Sequence, residues 1–194
     1  MQKQRCGWVS DDPLYQQYHD EEWGRPVYDS QRLFAKLCLD GQQAGLSWLT
    51  VLRKQHNYEA FFAGFNPQVI AAYDDDKVEQ LLQNPGIIRN RAKVKSIIQN
   101  ARAYVRFTQQ GNDFSEFLWG FVGGTPQQNH FTALAQVPAQ TAESQAMSKA
   151  LKKLGFNFCG PTICYAFMQA VGMVNDHLQD CCCYPELCGQ SHNQ

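Results

Sequence analysis

Four side chains near the two ends of the chain carry the types that bind a metal ion. Cys6 and His19 are separated by twelve residues, and His177 and Cys181 by three. Two thiolates and two imidazoles suit tetrahedral zinc, although Cys182, Cys183 and Cys188 are competing ligands. A second feature is the turn from Leu154 to Thr162. There Gly155 can end a helix in a left-handed conformation, and Pro161 and Thr162 suit the start of the next. Backbone amides at that start, around Gly160 and Thr162, point outward and can hold a phosphate of a polyanion such as DNA, with Lys152 and Lys153 beside it. The same residues also make an ordinary link between packed helices. A third feature is Asp40, an acid where an apolar helix meets Gly41, close to Trp48. Negative charge at a helix C-terminus is disfavoured, so the position suggests a use beyond solvation.

The elements that must position these groups read as helices nearly everywhere. Leu33, Phe34, Leu37 and Cys38 recur at helical spacing after the Asp29-Ser30 cap signal. Leu46 to Phe62 is a second apolar-periodic segment, and Asn66-Pro67 and Asp74 mark helix starts. Val94, Ile97, Ile98, Ala101, Tyr104 and Val105 form one stripe. Thr141 to Leu154 and Thr162 to Val171 complete an all-α pattern, with Gly123–Asn129 as its flexible connection. A chain of 194 residues supports one unit spanning 1–194, of at most two helical subdomains. The terminal segments (about 1–25 and 165–194) are expected to pack together, and the middle (about 30–140) to form the rest.

The formal net charge is −1, so no global basic signal points to nucleic acid. The distribution is less even. Residues 80–112 lack acids and carry Arg89, Arg91, Lys93, Lys95, Arg102 and Arg106, and residues 144–175 carry Lys149, Lys152 and Lys153 without an acid. Such runs can form a basic face that draws a polyanion, or simply solvate helices. MQKQRCGW has no apolar signal core and no stretch approaches the length of a membrane span. A cytoplasmic protein without a membrane partner is therefore expected, its eight cysteines reduced and a Cys/His cluster read as metal-binding. Cys38, Cys159 and Cys164 are read as core thiols, and His56 and His130 as surface residues. Nothing argues against a monomer.

Several long motifs occur in one order: RCGWVSDDPLYQQYHDEEWG at 5–24, GQQAGLSWLTVLRK at 41–54, GIIRNRAKVKSIIQNARAY at 86–104, and the run over 149–184 ending in NDHLQDCCCYP. Together they resemble the 3-methyladenine DNA glycosylase I family, within the helix-hairpin-helix DNA glycosylase superfamily, over essentially the whole chain. The resemblance implies an all-α helix-hairpin-helix glycosylase-like bundle whose termini are tied by a structural zinc at Cys6, His19, His177 and Cys181. It implies hydrolysis of the N-glycosidic bond of 3-methyladenine in alkylated double-stranded DNA, and no lysine nucleophile, hence no strand-cleaving lyase step. Many superfamily members carry a catalytic Asp in a Val-Asp-Thr-His turn. Here the turn reads Val174-Asn175-Asp176-His177; neutral Asn175 cannot act as a base, and Asp176 is expected to point elsewhere.

That moves the expected chemistry to Asp40. Similar enzymes place a Glu there against the base; Asp withdraws the charge by about 1.5 Å, one carbon–carbon step. An N3-methylated adenine is cationic and leaves as a neutral base, so an aromatic cage with one carboxylate favours it over normal adenine. Trp8, Tyr15, Tyr18, Trp23 and Trp48 supply the aromatics, although core packing also explains such residues. Gln43, Gly45 and Leu46 would fill the gap left when the base flips out. Two other readings remain open from the sequence: a zinc-stabilised module that senses damage without excising it, favoured by Asn175, and a glycosylase for another alkylated base.

Overall fold

The computed structural model describes residues 3–189. Local capping chemistry sets most helix starts. Asp12 accepts from the amides of Leu14 and Tyr15 and opens α1 (Pro13–Glu21), with Pro13 in the first turn. Asp29 opens α2 (Ser30–Gln42). Ser47 caps α3 (Trp48–Leu52), and α4 (Gln55–Phe61) follows after a break. The apolar-periodic segment from Leu46 to Phe62 is thus two short helices, separated by a turn at Arg53 and Lys54. Neither glycine nor proline marks the break. It turns α4 so that the Tyr58 hydroxyl donates to Gln42 Oε1 and accepts from the amide of Ile88, both at 3.1 Å.

Asn66 caps α5 (Pro67–Ala71), Asp74 caps α6 (Asp75–Leu82) and Asn90 caps α7 (Arg91–Gln109). Then come α8 (Phe114–Trp119), a short strand β1 (Gln127–Gln128), α9 (Ala142–Leu154), α10 (Pro161–Ala170), β2 (Val174–Asn175) and α11 (Tyr184–Gly189). The all-α expectation needs one addition, since β1 and β2 pair in parallel, Gln127 opposite Val174 and Gln128 opposite Asn175. Part of Gly123–Asn129, expected to be a flexible connection, is therefore held in a ladder beside the C-terminal segment.

The site depends on α2, which packs against both α7 and α10. Its apolar face buries Leu33, Phe34, Leu37 and Cys38, and its last turn, Leu39 to Gln42, is buried all round. Asp40 thereby ends at 2% exposure. The end of α10 crosses the chain just after α1. Gly24 and Val27 donate their amides to the carbonyls of Ala170 and Val171. Gly172 allows the crossing: at φ +73°, an added Cβ would lie 2.5 Å from the Arg25 carbonyl carbon and Pro26 nitrogen. No helix among the described residues is long and apolar enough to cross a membrane.

Candidate active site and metal centre

A carboxylate at the buried end of a helix needs compensation, and α2 supplies it one turn earlier. Lys36 Nζ lies 2.7 Å from Asp40 Oδ1 and 3.4 Å above the Trp48 ring centroid. Burial pushes the Asp40 carboxyl up from its ordinary range, and the Lys36 ammonium pulls it back. Burial pushes Lys36 down, and Asp40 opposes that. Asp40 Oδ2 and Trp48 Nε1 are both buried without a hydrogen-bond partner. One unpaired acceptor near the end of α2 and one unpaired donor at the start of α3 are thus both buried.

Both residues line a cavity of about 190 Å³. Trp8, Tyr15, Tyr18, Trp23 and Gln43 share its wall with Leu134, Val137, Ala166, Gln169, Ala170 and Asp176. Every aromatic residue expected at the site is brought there. The rings also pack on each other, Trp8 on Tyr15 at 5.1 Å and Tyr18 on Trp48 at 5.5 Å between centroids. Asp176, expected to point elsewhere, is on the wall. It is held by the Tyr165 hydroxyl at 2.5 Å, Gln169 Nε2 at 2.9 Å and Asn129 Nδ2 at 2.6 Å. Asn175 instead faces β1, donating to Gln128 Oε1 and accepting from the His177 amide. Being Asn rather than Asp removes nothing from the cavity.

Sequence reasoning missed Lys36, Asp176 and the contribution of Leu134 and Val137. The spacing of Lys36 four residues before Asp40 was a usable signal, because i, i+4 residues share a helix face. Asp176 had none beyond its place next to a candidate ligand.

That candidate ligand set comes together. Cys6, His19, His177 and Cys181 are all buried, and their ligand atoms lie within 4.8 Å of one another. Cys181 Sγ is 3.4 Å from both His19 Nε2 and His177 Nδ1, and Cys6 Sγ is 3.6 Å from His177 Nδ1. A tetrahedral zinc bound to one sulfur and one nitrogen sets those two about 3.5 Å apart, so the residues fit the ion. The outer ring nitrogens are also occupied, His19 Nδ1 by Asp20 Oδ1 at 2.8 Å and His177 Nε2 by the Trp23 carbonyl at 3.0 Å. Such outer partners fix the ring orientation that ligation needs. Among the competing thiols, Cys182 is exposed, Cys183 lies by the carbonyls of His19 and Asp20, and Cys188 approaches Gln128 Oε1. No disulfide joins the eight cysteines; Cys38, Cys159 and Cys164 are buried core thiols as expected. His56 and His130 are exposed, and His192 lies outside the described residues.

Beyond the cavity, Gly45 and Leu46 are exposed in the loop between α2 and α3. Lys93 tethers that loop. Its ammonium donates to the carbonyls of Gln42 at 2.8 Å and Ala44 at 2.6 Å. Much of the basic run over 80–112 is taken up at the surface by partners within the chain. Arg91 pairs with Glu79, Lys95 with Asp75, and Arg102 donates to the carbonyls of Ala71 and Tyr73. The broad basic face that the run allowed is to that extent not free. Gly155 ends α9 at φ +100°, Gly160 precedes α10, and Lys152, Lys153 and Thr162 are exposed around the turn.

The model of the methyladenine glycosylase family matches residues 8–184. DNA-3-methyladenine glycosylase 1 of Escherichia coli (strain K12) is 57% identical over 182 residues, covering 94% of this chain and 97% of the relative. The DNA-3-methyladenine glycosylase of Haemophilus influenzae is 51% identical over 179 residues, covering 92% and 97%. A crystal structure of a 3-methyladenine DNA glycosylase I superposes with a TM-score of 0.93 at 56% identity, covering 94% of this chain and 100% of that one. The Staphylococcus aureus enzyme, solved to explain its recognition of 3-methyladenine, gives 0.90 at 37% identity, covering 93% and 96%. Architecture and sequence agree, and the chain belongs to the methyladenine glycosylase family.

Proposed function

We infer that this protein is a base-excision DNA repair glycosylase that hydrolyses the N-glycosidic bond of 3-methyladenine in alkylated double-stranded DNA. The observation that carries the reading is the unpartnered Asp40 Oδ2, buried in a cavity walled by Trp8, Tyr15, Tyr18 and Trp48. A flipped cationic purine gives that oxygen a donor and gives the rings a cation to face. Because the base departs neutral, its bond is already weakened. Positioning and an anion near the developing sugar cation then suffice to accelerate the loss. No lysine is among the described residues lining the cavity, and the family resemblance implies a reaction that ends at hydrolysis, without a lyase step.

The surrounding elements take supporting roles. The turn from α9 to α10 serves as a helix-hairpin-helix: amides near Gly160 and Thr162 hold a DNA phosphate, with Gly155 shaping the turn and Lys152 and Lys153 adding charge. Gln43, Gly45 and Leu46 fill the place of the flipped base. Zinc, held by Cys6, His19, His177 and Cys181, supplies no step of the reaction. A site closed by four protein ligands is structural, and here it fastens the two ends of the chain. The enzyme works as a cytoplasmic monomer on chromosomal DNA.

Incubating the protein with methylated DNA and separating the released bases by chromatography tests this directly. Free 3-methyladenine is expected. None would overturn the proposal, and predominant release of a different alkylated base would reassign the substrate. Asp40→Asn is expected to slow excision about a hundredfold, in the range seen when one electrostatic contact to a transition state is removed, while binding to unmethylated DNA stays intact.

A further inference from the structure

Lys36 pairs with Asp40 without being part of the lining of the aromatic cavity. Asp40 lines the cavity and Lys36 does not. Lys36 instead lines a neighbouring groove of about 410 Å³. Tyr18 and Ala170 belong to both walls. The ammonium thus engages Oδ1 from behind, at 2.7 Å, and leaves Oδ2 buried without a donor. It also rests on the Trp48 ring at 3.4 Å and lies 5.6 Å from the Tyr18 ring centroid. One cation therefore touches the carboxylate and both aromatic residues that flank it, without entering the cavity.

We propose that Lys36 is a positioning residue of the base pocket: by ion-pairing with Asp40 from behind, it holds the carboxylate as an anion and turns Oδ2 towards the incoming base. The inference rests on the reading of Asp40 as the carboxylate that recognises the base. An isolated carboxylate at 2% exposure would take up a proton rather than stay charged. A protonated Asp40 would present a cationic base with no charge. The groups facing the pair are Tyr18 from α1 and Glu22 just after it, Arg32 from α2, Glu59 from α4, Cys164 from α10 and Asp176 beyond it. Among the described residues only Lys36 donates a hydrogen bond to the Asp40 side chain. The carboxylate's ionisation is therefore tied to this one partner.

The sign follows from the geometry. Removing the ammonium leaves burial unopposed, Asp40 holds its proton to higher pH, and the acid limb of activity moves up. The test is single-turnover excision of 3-methyladenine from methylated DNA between about pH 5 and 9, for the unaltered protein, Lys36→Met, Lys36→Gln, Lys36→Arg and Asp40→Asn. Lys36→Met and Lys36→Gln are expected to move the acid limb up by about one pH unit or more, which costs about tenfold in rate on that limb for each unit. Their rates should recover as pH rises. Lys36→Arg keeps the charge and should keep the limb in place, and Asp40→Asn should be slow and flat throughout. A residue that merely supported packing would lower the rate by one factor at every pH. Should Lys36→Met fail to fold, Lys36→Gln, which keeps a donor and removes the charge, decides the matter. Limbs that coincide with the unaltered protein, alongside an impaired Asp40→Asn, overturn the role of Lys36 alone. An Asp40→Asn protein as fast as the unaltered one overturns the reading of Asp40, and the role of Lys36 with it.

Discussion

Lys93 offers a sharp test of how the loop after α2 is held. Its side chain is buried at 6% exposure, and its ammonium is shared between the carbonyls of Gln42 and Ala44. The Gln42 carbonyl ends the last turn of α2 and that of Ala44 follows it, where a cation also meets the negative end of the helix dipole. Replacing Lys93 by Met keeps the length of the stem and removes both hydrogen bonds. Hydrogen bonds to a charged group contribute about 1.5–3 kcal/mol each. Relief from burying an ammonium and the added apolar burial of Met offset part of that, leaving a net loss of about 3 kcal/mol. For a chain of this size, 1 kcal/mol moves the melting temperature by roughly 2–4 °C, so the fall should be roughly 6–12 °C. The assay is thermal unfolding by circular dichroism, paired with excision measured well below the transition. Excision should also slow, because Gln43 to Leu46 lose their tether. Lys95→Met is the control: its pair with Asp75 is half exposed, and surface pairs contribute about 0–1 kcal/mol. A Lys93→Met protein that melts within about 2 °C of the unaltered one would refute the reasoning, since the buried ammonium would then stabilise no more than a methyl group.

Two further outcomes follow from the same geometry. Folded protein should carry one zinc, and Cys181→Ser should lose it, melt at a lower temperature and exchange amide hydrogens faster at residues 13–23 and 176–183; folded, active protein with zinc near zero by mass spectrometry contradicts the ligand assignment. Gly155→Ala should destabilise the fold by about 1 kcal/mol or more, because φ is +100° and the new Cβ would sit 3.1 Å from Arg106 Nη2. Its affinity for DNA should fall by a larger factor than its rate of excision at saturating enzyme, and an unchanged affinity would remove the turn from the DNA interface.

Local signals were legible wherever a side chain decides the backbone on its own. Asp29, Asn66, Asp74 and Thr141 each cap the helix expected to start there, since one oxygen accepting one or two amides is a property of a few adjacent residues. The gathering of Cys6, His19, His177 and Cys181 was expected from the family resemblance, since a spacing split by more than 150 residues is a weak signal alone. What depends on distant parts of the chain was not legible. The break at Lys54 is set by Tyr58 reaching Gln42 and Ile88. The fate of each cation in the basic run is set by which carbonyls or acids happen to face it. Lys93 and Lys95 are two residues apart, yet one is buried and the other half exposed. Lys36 and Asp40 share a spacing with countless solvated pairs, and only the packing of α2 between α7 and α10 makes this one matter.

The two features that looked separate along the sequence, a metal half-site and a carboxylate, meet through adjacent residues. Tyr18 lines the cavity and His19 turns to the thiols; Asp176 lines the cavity and His177 does the same. Neighbouring residues on one backbone cannot move independently by much, so whatever fixes the imidazoles fixes two cavity walls. Trp8, two residues beyond Cys6, extends the connection, because its ring packs on Tyr15, His19 and Trp23 within about 5 Å of each centroid. Asp40 is held differently, by the buried last turn of α2 and by Lys36. The pocket is thus assembled from two supports, the buried Cys/His cluster beside the aromatic wall and the helical core holding the acid. Between them, on Ala170 and Gly172, the end of α10 passes so close to Arg25 and Pro26 that only hydrogen fits.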